Sequence, residues 1–97
     1  MLEHLVPVQH SAADGHFPGN PIIPGAVLLS DTLSAIAQSA AIRITPCHIK
    51  SAKFFHPVRP GDRVLIEFTQ ISTDAIRFTC AVDGKTVLAG QVKCEHP

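Results

Sequence analysis

The segment AVLLSDTLSAIAQSAAIRI, residues 26–44, is the one part of the chain that reads as a helix, and its character restricts everything around it. Leu29, Leu33, Ile36 and Ala40 recur at steps of four, three and four, the period of an α-helix. Thr45-Pro46 is expected to end it, because the residue before a proline is pushed out of helical geometry. The segment is apolar almost all round and rich in Ala and Ser, so a sheet is expected to wrap it. Its polar residues are gathered: at about 100° per residue, Ser30, Ser34, Gln38 and Asp31 share one sector of roughly 100°. Such a stripe faces something polar.

The remainder of the chain is strand and turn. Residues 2–8, LEHLVPV, read as a short strand, with Pro7 tolerable only at a sheet edge or strand end. SAADGHFPGNPIIPG is loop by composition, punctuated by Asp14-Gly15, Pro18-Gly19 and Pro24-Gly25. HIKSAKFF precedes the breaker HPVRPGD. RVLIEFTQI then alternates through Val64, Ile66 and Phe68, and IRFTCAV through Ile76, Phe78, Cys80 and Val82. Asp83-Gly84 predicts a two-residue hairpin turn into KTVLAGQVKC. The order strand, long loop, helix, then three or four antiparallel strands makes an α+β domain, and no linker or repeat divides residues 1–97.

A chain of 97 residues should bury roughly two-thirds of its unfolded surface, enough for a core without metal or disulfides. Eight Lys and Arg balance eight Asp and Glu, so no long-range field points to nucleic acid or an anionic membrane. At 45% apolar residues, with no Trp or Tyr, some apolar surface is expected to be covered by a second subunit, giving a homodimer or a higher homo-oligomer. Cys47, Cys80 and Cys94 are odd in number and widely spaced, which argues against a disulfide framework and a zinc site and for free thiols in a reducing compartment. With no basic-then-apolar signal region and no apolar run long enough to span a bilayer, a cytoplasmic location is expected.

The chemistry gathers where the loop meets the helix. A helix start leaves backbone N–H groups free and carries about half a positive charge, which suits a carbonyl oxygen that becomes an enolate. Pro24-Gly25 stands there, and Gly25 allows close approach to the main chain. His16, with an ordinary pKa near 6.5 for its type, could take a proton beside that carbonyl. The stiff loop would fix the distance between the two. His4, His10, His48, His56 and His96 have no comparable setting and are read as surface or packing residues.

These residues resemble a family. HFPGNPIIPG is similar to the HFPGxPxxPG signature of the 3-hydroxyacyl-acyl-carrier-protein dehydratases of bacterial fatty-acid synthesis, and FFHPVRPGDRVLIE and the Asp83-Gly84 hairpin extend the likeness over nearly the whole chain. The resemblance implies a hot-dog fold: a curled antiparallel sheet around one central helix, paired so that two sites form at the dimer interface. It implies removal of water from a (3R)-hydroxyacyl thioester, on acyl carrier protein or coenzyme A, to give the trans-2-enoyl product without metal or organic cofactor. His16 would take the α proton and the Gly25 amide would bind the thioester oxygen, with Phe17, Ala26 and Gln38 as further substrate contacts.

The family's acid, contributed by the partner subunit, lies fourteen residues after the histidine, and here that position is Ser30, with Asp31 beside it. The family's Gln four residues further on is Ser34 here, and Gln38 is one turn later. Asp31 is the sole acid of the helix and lies at the edge of the polar stripe, within about 20° of Gln38. Asp31 brought round by a small helix rotation, or a water held by Ser30, could deliver the proton. An acid near a helix start is also stabilising by about 0.3–1 kcal/mol whatever its function. The chain begins 15 residues before His16, a shorter front than the family's, which predicts a less covered acyl tunnel. Two other functions fit the residues: a hot-dog thioesterase with Asp31 activating water, and a non-catalytic module that binds acyl chains or acyl carrier protein.

Overall fold

A computed structural model describes residues 2–6, 22–40 and 47–94. In chain order these are β1 (Leu2–Leu5), α1 (Gly25–Ala40), β2 (Cys47–Phe54), β3 (Arg63–Ser72), β4 (Ala75–Val82) and β5 (Lys85–Cys94). One five-stranded antiparallel sheet has the order β1-β3-β4-β5-β2, so β1 and β2 form its two edges. Pro7, most of the loop, the helix end at Thr45-Pro46, and His16 and Phe17 lie outside the described residues.

The expected alternation is present. Val64 and Ile66 on β3 and Ile76, Phe78 and Cys80 on β4 are buried, and Phe68 and Val82 pack on the same cluster. β5 departs from alternation: Val87 and Leu88 are consecutive and both buried. Cys80 pairs with Leu88 and Ala81 with Thr86, so Val87 is an extra residue in a bulge. Further register shifts occur between Gln70 and Ser72 on β3 and between Ile49 and Ser51 on β2.

Two turns follow from their sequences. Asp83 and Gly84, at φ 50° and 79°, join Val82 directly to Lys85, as a two-residue hairpin with left-handed backbone requires. In Arg59-Pro60-Gly61-Asp62, the Asp62 N–H donates to the Arg59 carbonyl and Gly61 has φ 92°, the pattern of a type II turn with Pro then Gly at its centre. Asp62 Oδ2 also accepts from the Arg59 N–H at 2.8 Å. The turn is tied to the residue that follows β1, since Gly61 N–H donates to the Val6 carbonyl and Val6 N–H to that of Asp62.

The helix lies on the sheet through Leu28, Leu29, Thr32 and Ile36. Thr32 is fully buried; its hydroxyl donates to the Leu28 carbonyl at 2.8 Å, which leaves its oxygen to accept from the Cys80 thiol at 3.5 Å. Burial pushes the Cys80 thiol above its ordinary range, with the Thr32 hydrogen bond pulling weakly the other way. Ser30, Ser34 and Gln38 are exposed, as a stripe on the face turned away from the sheet. No helix among the described residues is long and apolar enough to cross a membrane.

Candidate active site

Ile23 enters the helix through a bridge to Val58, its N–H donating to the Val58 carbonyl at 2.7 Å. The Pro24 carbonyl then accepts from both Val27 and Leu28 N–H, at 3.0 and 3.1 Å. The amides of Gly25 and Ala26 precede these and have no acceptor among the described residues, so they are the first-turn donors that could meet a ligand oxygen. Gly25 lines a cleft of about 280 Å³ walled by Ile22, Leu28, Phe54 and Phe55, with His56 at its rim. Apolar walls with a few convergent polar groups are what an acyl group with one carbonyl needs.

Gly25 owes its identity here to close approach. A Cβ at this position would stand 3.0 Å from Cε1 and 3.1 Å from Cζ of Phe54, so the β2 ring occupies the space a side chain would need. Phe54 is 48% exposed, and its ring can yield. Gly25→Ala is therefore expected to leave the melting temperature within a few degrees while reducing kcat/KM by about tenfold or more, because the cleft wall shifts by a fraction of an ångström beside the two donors. Thermal unfolding and steady-state kinetics on the same preparation check both halves.

The other expected residues separate along the helix. Ser30 is exposed five residues after Gly25, and Gln38 is exposed thirteen residues after it, about 20 Å further along the axis, so Gln38 does not meet the amide donors within one protomer. Asp31 turns toward β1, where its Oδ2 lies 3.8 Å from His4 Nε2. That nitrogen is buried, and it has no hydrogen-bond partner among the described residues. His4 and His56, read from the sequence as surface or packing residues, lie near these elements: His4 is turned inward by its pairing with Val64, and His56 is exposed at the cleft rim where β2 runs past the helix start. Among the described residues no group of three His, Cys, Asp or Glu side chains could hold a metal. A second hollow, of about 410 Å³, lies on the sheet face turned away from the helix, between Lys53 and Arg77, and contains none of the expected site residues.

Comparison with known proteins places these features in context. Residues 1–91 match the family model described as ApeI-like, ApeI dehydratase. The chain is 35% identical over 106 residues to the 3-hydroxyacyl-[acyl-carrier-protein] dehydratase FabZ of Escherichia coli O9:H4, covering 92% of this chain and 68% of that protein. It is 34% identical over 93 residues to the bifunctional enzyme LpxC/FabZ of Chlorobaculum tepidum, covering 84% of this chain but only 19% of that one. The chain thus spans less than two-thirds of the length of several relatives it matches. In three dimensions it is similar to the dehydratase heterocomplex ApeI:P from Xenorhabdus doucetiae, with a TM-score of 0.75 at 22% identity over 96% of this chain and 84% of that one.

Proposed function

The chain belongs to the ApeI-like dehydratase family, and on that footing we propose that it removes water from (3R)-hydroxyacyl thioesters, carried on acyl carrier protein or coenzyme A, as a cytoplasmic hot-dog homodimer. The observation that carries the reading is the helix start at Gly25 and Ala26, whose first residue lines an apolar cleft within the region the family model covers. His16 takes the α proton, and the released electron pair moves onto the thioester oxygen, which those amides hold as an enolate. The pair then returns to form the Cα–Cβ double bond as the β C–O bond breaks, and the departing hydroxide is protonated to water. Phe17 contacts the substrate beside His16. Gln38 contacts it farther along the helix.

The proton for the leaving group comes from a water at Ser30. Asp31 turns its Oδ2 to within 3.8 Å of His4 on the β1 side of the helix, whereas Ser30 lies on the exposed stripe that a partner subunit would cover. Dimerisation is supported by β2, an edge strand whose Ile49 and Phe54, with the adjoining Phe55, are each about half exposed.

Two variants test the acid. Ser30→Glu is expected to raise dehydration by at least about tenfold, equivalent to about 1.4 kcal/mol of barrier, because it puts a carboxyl on that stripe. Asp31→Asn is expected to change turnover by less than about threefold; a loss of about 10²-fold or more would instead make Asp31 the acid. The assay is purified protein with a 3-hydroxyacyl thioester, following enoyl absorbance and free thiol together. Thiol release without enoyl formation would replace the dehydratase reading with a thioesterase, and binding without either with a non-catalytic module.

A further inference from the structure

The strand register sets Cys47, the first residue of β2, directly opposite Cys94, the last of β5. Cys94 N–H donates to the carbonyl of Asp74, in the turn before β4, at 2.6 Å. In an antiparallel ladder a residue's N–H and C=O point to the same side, so Cys94 directs both toward β4 and away from β2. Cys47 and Cys94 are therefore a non-hydrogen-bonded pair, the kind whose Cα atoms stand about 4.5 Å apart with side chains close. A disulfide bridges Cα separations of about 4.4–6.8 Å. The pair also precedes the register shift at Ile49, in the regular part of the ladder.

Both thiols are free and belong to the helix side of the sheet, Cys94 within the core and Cys47 partly buried against it. We propose that Cys47 and Cys94 are an oxidisable dithiol, a modification site that low-molecular-weight disulfides convert into an intrachain cystine. Cys47, the more accessible of the two, attacks one sulfur of the small disulfide as its thiolate; that S–S bond breaks, one small thiol leaves, and a mixed disulfide remains on Cys47. Cys94 gives its proton to solvent, its thiolate attacks Cys47 Sγ, and the second small thiol leaves. The protein loses two electrons and two protons, and the small disulfide becomes two thiols. Burial, with Cys47 and Asp74 adding to it, holds the Cys94 thiol above its ordinary range. Cys94 is thus a poor reagent toward solutes but well placed to resolve an adduct beside it. Since β2 is an edge strand that, among the described residues, pairs with β5 alone, the bond fastens the start of that strand.

The test oxidises the reduced full-length chain with oxidised glutathione, alkylates remaining thiols after quenching, and maps the peptides. Two thiols are expected to disappear into a Cys47–Cys94 linked peptide, with Cys80 alkylated after denaturation. The melting temperature is expected to rise by roughly 10 °C and fall back on reduction. Cys94→Ser should stop at the glutathione adduct on Cys47, and Cys47→Ser should remain unmodified over the same time. Three free thiols after oxidation, a link that includes Cys80, or one joining two chains would overturn the assignment. Peptide mapping of the unsubstituted chain decides this even if either variant fails to fold.

Discussion

His16→Ala is expected to lower dehydration by at least about 10²-fold, the lower end of what a positioned general base contributes. The loss should fall on kcat more than on KM, because the substitution leaves in place the Gly25 and Ala26 amides and the apolar cleft to which the proposal gives the thioester. That division separates loss of a base from loss of the site. Unchanged turnover in a folded variant, judged by circular dichroism and steady-state kinetics, would remove His16 from the mechanism.

Phe78→Ala carries the largest expected cost in stability, about 3–5 kcal/mol, against a total for domains of this kind of about 5–15 kcal/mol. The ring is 1% exposed and sits at the centre of β4, opposite Phe68 on β3 and Gly90 on β5. A Cβ on Gly90 would come within 2.8 Å of its Cζ and 2.6 Å of the Ser51 carbonyl oxygen, so the ring fills the space that position 90 leaves open. Truncation empties it, and the surrounding strands are too well paired to collapse into the gap. Urea unfolding should show a lower midpoint at an unchanged slope. A loss below about 1 kcal/mol would mean that the ring is not a central member of the core.

The order of elements, the hairpin at Asp83-Gly84 and the inward faces of β3 and β4 were legible in the sequence because each is local: alternation and turn chemistry act over a few residues. The Pro24-Gly25 pair marked the start of the helix for the same reason, and the helix does begin at Gly25. What was hidden depends on pairing between distant strands. The bulge that buries Val87 beside Leu88 appears only once β4 is beside β5. Cys47 and Cys94 look unrelated until the register aligns them. His4 had no visible role because its contact with Asp31 comes from β1 pairing to β3 beneath the helix. Gly25 was read as room for a ligand, and the structure fills that room with Phe54.

The extra residue of β2 is a matter of parity. Cys47 and Phe54 are seven positions apart, and in an unbroken strand residues an odd number apart look in opposite directions. The pairings Ile49↔Val92 and Ser51↔Gln91 skip Lys50, which adds one to the count and lets both ends of the strand look toward the helix. Cys47 can then meet Cys94 while Phe54 covers Gly25. What natural selection can act on at position 50 is arithmetic more than chemistry: many side chains would serve there, but a chain one residue shorter between the two ends would have to give one of them up to the opposite side of the sheet.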